Sequence, residues 1–253
     1  MAGHSKWANI KHRKAAQDKK RAKVFTRIIK EITIAARDGG ADIETNPSLR
    51  LAIQNAKGAN MPKDTIERAI KKGIGGEGAN LSELTFEGYA TNGIAVFVEA
   101  TTDNNNRTVA SVRSIFNKYG GNLGTNGSLG FLFERKGVFT INKVSMMDVD
   151  MEEVEMELID YGLEEISIID DLVLIQTNFE DYGSMQTELE SRPWEVTNTE
   201  LQRIPVKSEV LPIENAKKVM KLIDKMEEDD DVNCVYHNLE ITDELIEMLE
   251  LED

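Results

Sequence analysis

The side chains best placed to do chemistry in this chain are cations, and the chemistry they suit is neutralisation of phosphate. Lys6, Lys11, Arg13, Lys14, Lys19, Lys20, Arg21, Lys23, Arg27 and Lys30 set ten basic groups against one acid, Asp18, within the first thirty residues. Neutralising several phosphates releases condensed counterions and supplies affinity that does not depend on sequence. A face of Lys and Arg with few base-reading side chains favours recognition of shape or backbone. Trp7 reads either as a flat surface for stacking an exposed base or as an apolar anchor of the arm. His12, like His4, reads either as a donor to phosphate or as a solvated side chain. The candidate nucleic-acid-binding set is therefore Lys6, Trp7, Lys11, His12, Arg13, Lys14, Lys19, Lys20, Arg21, Lys23, Arg27 and Lys30.

Other chemistries find less support. The histidines are His4, His12 and His237, and no pair has the helical spacing and carboxylate base of a zinc protease. The single cysteine, Cys234, excludes an internal disulfide framework and a Cys-only metal cluster. There is no nucleophile elbow. Asp229, Asp230 and Asp231 follow a helix and read as a solvated turn. Gly73, Gly75 and Gly78 have dinucleotide-loop spacing, but they follow a helix where that loop must follow a strand. The expectation is a protein that is not an enzyme, with no catalytic residues, metal, cofactor or small-molecule substrate.

The charge is divided along the chain. The formal net charge is -15 over 253 residues, which taken whole argues against a polyanionic partner. Residues 1–72, however, hold 17 Lys+Arg and 7 Asp+Glu, a net of +10, and residues 73–253 hold the remaining 13 and 38, a net of -25. Such a division suggests a basic binding module on an acidic body that repels a polyanion elsewhere. The intramolecular alternative is that the basic part folds against the acidic part. No run of about 18 apolar residues exists, so a membrane-spanning helix is not expected. Residues 1–30 are acid-poor but Lys-rich and nearly Ser-free, unlike a mitochondrial presequence.

These residues must be held by elements that periodicity makes legible. Phe25, Ile28, Ile29, Ile32 and Ala36 place one apolar face on a helix over 16–38, with Lys19, Lys23, Arg27 and Lys30 within about 80° of each other roughly opposite. Asn46 and Pro47 start a second helix that stops at Gly58, and a third runs from about Pro62 to Gly73. Residues 73–80 read as a linker. Strands follow at 84–90 and 94–102, a helix over 107–119, a glycine-rich loop over 120–130 and a strand at 129–135. That loop reads either as a phosphate- or RNA-approaching backbone or as a long hairpin connection.

Residues 137–204 then run strand, helix, strand, strand, helix, strand (138–142, 148–161, 165–169, 172–177, 179–190, 195–204), with Asp170-Asp171 as the turn between the central strands. This βαββαβ order is that of ferredoxin-like domains. The tail adds a helix (213–228), a strand (232–238) and a last helix (242–251). The expected fold is α+β and multidomain: a basic helical bundle over 1–78, a discontinuous α/β middle domain over 79–136 and 205–253, and an inserted ferredoxin-like α/β domain over 137–204.

The opening Met1-Ala2-Gly3-His4-Ser5-Lys6-Trp7-Ala8-Asn9-Ile10-Lys11-His12-Arg13-Lys14 resembles the N-terminal signature of the YebC/PmpR family, whose members include the mitochondrial translational activator of cytochrome c oxidase subunit I. Asn60-Met61-Pro62-Lys63-Asp64, Thr102-Asp103-Asn104-Asn105-Asn106-Arg107-Thr108 and Gly120-Gly121-Asn122-Leu123-Gly124 resemble it too, whereas residues 88–93 lack the proline associated with that loop. The resemblance implies three domains, a cytoplasmic bacterial protein, and no established enzymatic activity. It implies either a transcriptional regulator that binds DNA or a ribosome-associated translation factor that meets ribosomal or transfer RNA. It supplies no list of contacts, so the twelve arm residues rest on charge and spacing.

Overall fold

The computed structural model describes residues 21–76, 80–147 and 149–250. The fold is α+β, with two four-stranded antiparallel sheets and helices layered on them. Contacts divide the described residues into two compact units, one of 21–27, 80–134 and 205–250, the other of 28–76 and 135–204.

In the first unit, β1 (Ser82–Tyr89) and β2 (Ala95–Thr102) form a hairpin in register Phe86↔Val98. Its turn uses Asn92 and Gly93 at φ 62° and 78°. The helix α4 (Asn105–Lys118) follows, capped by the Asn104 side chain, which accepts from the Arg107 N–H. A two-residue strand β3 (Asn122–Leu123) then pairs with Gly88 and Tyr89. The chain returns to add α7 (Ile213–Glu228), β8 (Val232–His237) beside β2, and α8 (Asp243–Glu250). The strand order is β3-β1-β2-β8. Phe86, Val96, Val98, Val112, Phe116, Val219, Met220 and Ile223 make its main core between the sheet and α4 and α7. A smaller cluster of Ala95, Phe97, Leu129, Phe133 and Tyr236 covers the other face of the sheet. Strand β2 is therefore buried on both faces, which its run of apolar residues anticipates.

The second unit holds the βαββαβ segment: β4 (Phe133–Asn142), α5 (Met151–Ile159), β5 (Leu163–Ile169), β6 (Leu172–Asn178), α6 (Tyr182–Ser191) and β7 (Val196–Pro205). The strand order β5-β6-β4-β7 is the ferredoxin-like one. Phe139, Ile141, Val173 and Ile175 meet Val154, Leu158, Met185 and Leu189 of the two helices in its core. Asp170, at φ 50°, makes the turn between β5 and β6.

The strand read at 138–142 differs in extent from the structure. It is one continuous strand from Phe133, and 130–132 is a short turn before it. Gly137 lies between the two segments read as strands at 129–135 and 138–142 and inside the one strand of the structure, where a Cβ would come within 2.5 Å of the Tyr182 ring.

The three N-terminal helices are α1 (Arg21–Gly39), α2 (Pro47–Gly58) and α3 (Lys63–Ile74). Asn46 is the buried hub of their first turn. Its Oδ1 accepts from the Leu49 N–H at 3.0 Å, and its Nδ2 donates to the Ala35 and Gly40 carbonyls at 2.8 Å each. On α1 the five consecutive residues Ile32–Ala36 are all buried, so this part of the helix is enclosed on every side rather than amphipathic. Gly73 of α3 makes one such approach, since a Cβ there would fall 2.4 Å from the Thr33 carbonyl.

Candidate nucleic-acid interface

Of the twelve candidate residues, Lys6, Trp7, Lys11, His12, Arg13, Lys14, Lys19 and Lys20 lie outside the described residues. Arg21 opens α1. Lys23, Arg27 and Lys30 stand on α1, and all three are half-buried. On this stretch Lys23 and Arg27 have partners within the protein, as the intramolecular alternative has it. The Lys23 ammonium donates to the carbonyls of Glu227 and Asp229, the latter at 2.5 Å, at the C-terminal end of α7. The last carbonyls of a helix lack intrahelical partners and carry the negative end of its dipole, so a lysine there is favourable. Arg27 Nη1 lies 3.5 Å from Cys234 Sγ on β8. Lys23 and Arg27 thus tie the start of α1 to α7 and β8 within the first unit.

Cations that the candidate set omits stand exposed on the next two helices: Lys57 on α2, and Lys63, Arg68, Lys71 and Lys72 on α3. At 100° per residue Arg68, Lys71 and Lys72 span about 100°, opposite Ile66, Ala69 and Gly73, which are buried. Arg68 Nε donates to the Asp64 carbonyl at 3.1 Å and its Nη2 to Thr65 Oγ1 at 3.2 Å, which holds the guanidinium along the helix. Lys63 Nζ is 3.8 Å from a Glu67 carboxylate oxygen, an exposed pair of little energetic weight. The net charge over residues 1–72 is the sequence signal that includes these residues.

The glycine-rich loop is decided by a strand residue. Glu87 on β1 is buried, at 4% exposure. Its Oε1 accepts from the Gly127 N–H at 2.7 Å and its Oε2 from the Leu129 N–H at 2.5 Å, while its own carbonyl accepts from the Gly124 N–H at 2.7 Å. The backbone donors read as available to a phosphate are, at these three positions, already held by Glu87.

In the Asp229–Asp231 turn, read as solvated, Asp230 is exposed and Asp229 half-buried, but Asp231 has a structural part. Asp231 is buried, and its Oδ2 accepts from Thr102 Oγ1 (3.1 Å), Thr108 Oγ1 (2.8 Å) and Arg107 Nη2 (2.7 Å). The Thr102–Thr108 motif is therefore bound to this turn, with Arg107 also on Asp103 at 2.9 Å. These carboxylates raise the Arg107 pKa through hydrogen bonds, Asp231 foremost. Among the described residues no group of His, Cys, Asp and Glu is placed to hold a metal ion, and no helix is long and apolar enough to cross a membrane.

The geometry defines an α+β multidomain protein with exposed cations on short N-terminal helices and an acidic remainder. Family models match both parts of the chain, the TACO1/YebC protein N-terminal domain over residues 5–76 and the TACO1/YebC second and third domain over 81–239. The chain belongs to the TACO1/YebC family. It is 52% identical over 241 residues to a "Probable transcriptional regulatory protein" of Amoebophilus asiaticus, covering 94% of this chain and 98% of that one. It is 49% identical over 253 residues to a protein of the same description from Idiomarina loihiensis, covering 99% and 100%. The crystal structure of a conserved hypothetical protein from Aquifex aeolicus superposes with a TM-score of 0.79 at 42% identity, covering 89% of this chain and 93% of that one.

Proposed function

We propose that the protein is a regulator of gene expression that binds nucleic acid, with DNA as the polymer and the basic N-terminal region as the grip. The observation that carries this reading is the charge division, 17 Lys+Arg against 7 Asp+Glu over residues 1–72 in a chain of net charge -15. The names of the relatives, "probable transcriptional regulatory protein", support the regulatory role. Contact is to the sugar-phosphate backbone: Lys and Arg neutralise phosphates, and the acidic remainder keeps the contact local. The protein acts by binding rather than by turnover, with no cofactor, in the cytoplasm.

The test is a salt titration of the full chain on duplex DNA. Affinity falls steeply with salt, with a log–log slope of about -0.9 per phosphate neutralised. Replacing Arg68, Lys71 and Lys72 by Glu lowers the affinity and flattens the slope. Replacing Lys11, Arg13, Lys14, Lys19 and Lys20 by Glu abolishes binding. Salt-independent binding, or full binding by both variants, overturns the reading.

A second reading is a ribosome-associated translation factor on ribosomal or transfer RNA. Trp7 favours it, because an aromatic inside a cationic arm suits unstacked bases better than a closed duplex. Ribosome profiling of a deletion strain separates the two. Codon-specific pausing supports translation, and altered transcript levels without pausing support transcription.

A further inference from the structure

We propose that the outward face of α5 (Met151–Ile159) is a docking surface for a cationic, amphipathic segment of another protein. This surface is independent of the basic N-terminal region and of the nucleic-acid reading.

The face is built by ordinary helix geometry. Helix α5 buries Val154 and Leu158 in the core of the second unit and packs on β5, the end strand of its sheet. Glu152, Glu155, Met156 and Ile159 fall within about 100° on the side away from Val154 and Leu158. There Met156 is 65% and Ile159 59% exposed. On the neighbouring strand β5, Ile168 is also exposed, at 48%. A helix with one apolar side in the core has no folding reason to carry Met and Ile on the other. A group of such side chains marks an interaction surface.

Charge selects the occupant. Residues 135–204 hold 5 Lys+Arg against 17 Asp+Glu, a net of -12. Glu152 and Glu155 flank the apolar pair directly. A polyanion or an anionic lipid surface is repelled from this face. A second copy meeting it across a twofold axis would set these glutamates against themselves. The complementary ligand carries Lys or Arg around apolar anchors at helical spacing, because Met156 and Ile159 are themselves three residues apart.

The experiment uses the full chain and a fluorescent peptide of about 18 residues, long enough for a stable helix. Its leucines and lysines are arranged on opposite faces, and a scrambled peptide of the same composition is the control. The helical peptide binds, and the scrambled one binds at least about tenfold more weakly. Met156→Ser with Ile159→Ser weakens binding at least about tenfold although the charge is unchanged. Glu152→Lys with Glu155→Lys also weakens it and flattens its salt dependence. DNA affinity is the same in the serine variant, whose charge is that of the wild type. Failure of the wild-type chain to bind, equal binding of the scrambled peptide, or full binding by the serine variant overturns the proposal, the last two because general acidity then explains the attraction. A dimer in sedimentation that the serine variant dissolves overturns it in favour of a second copy.

Discussion

Asn55 and Thr199 bond each other twice: Asn55 Nδ2 donates to the Thr199 carbonyl at 2.7 Å, and the Thr199 N–H donates to Asn55 Oδ1 at 2.9 Å. Both residues are buried, and 144 positions separate them. The side-chain amide extends the hydrogen bonding of strand β7 onto helix α2. One turn further, a Cβ on Gly58 would sit 1.8 Å from the Thr197 carbonyl oxygen. The helix and the strand are thus in direct backbone contact, and Gly58 serves that approach, in addition to ending the helix near Ala59.

Asn55→Ala leaves two backbone groups of Thr199 buried without this partner. At about 1–3 kcal/mol for an unsatisfied buried group, the expected loss is about 3 kcal/mol. Hydrogen exchange of the Thr199 amide speeds up in the variant, and its denaturation midpoint falls. Unchanged exchange at Thr199 counts against the pairing.

Lys23→Met tests what the cation on α1 does. It removes two donors from the end of α7, so stability drops by about 1–2 kcal/mol. Nucleic-acid affinity changes little compared with the Arg68, Lys71 and Lys72 variant. A large loss of affinity with full stability would return Lys23 to the phosphate-binding set.

Glu87→Gln keeps the shape of the side chain and replaces one acceptor by an amide donor that faces a backbone N–H. Hydrogen bonds to a charged acceptor are worth about 1.5–3 kcal/mol, and that is the expected cost. The amides of Gly127 and Leu129 lose protection first, which exchange measurements resolve. Protection confined to other segments, with these two amides as open in the wild type as in the variant, refutes the latch.

Tyr182 gives the pH prediction. Burial first, and then the negative charges of Glu200, Glu31 and Glu190, push its hydroxyl above the ordinary tyrosine range. The folded state therefore holds this proton more tightly than the unfolded state. The sign follows: the contribution to stability is complete below about pH 10, the unfolded value, and is lost as pH rises beyond it. Tyr182→Phe flattens the alkaline stability curve, and ultraviolet difference titration of wild type against the variant shows no phenolate from this residue near pH 10. A phenolate difference at that pH contradicts the placement of the ring.

Much of the architecture was legible in the chain itself. Pro212 before the 213–228 periodicity, Asn46-Pro47 before α2 and Asn104 before α4 announce helix starts, because capping and periodicity involve residues a few positions apart. The βαββαβ order of the second unit follows from the same local signals. The extent of β4 was not legible: the residues on either side of Gly137 read as two strands, and the glycine there gives room to Tyr182, 45 positions on.

The chain alone fixed the charge division, since that is a sum over residues and needs no coordinates. Which cations face water was settled by folding: Lys23 reaches Glu227 across 204 positions, while Lys71 and Lys72, equal to it in charge, stay exposed. Glu87 and Asp231 are two more carboxylates in composition, and they became buried acceptors because strands and turns remote in sequence bring N–H and O–H donors to them. Periodicity and capping are short-range along the chain; the partner of a charge is short-range in space, and only the tertiary fold converts one into the other.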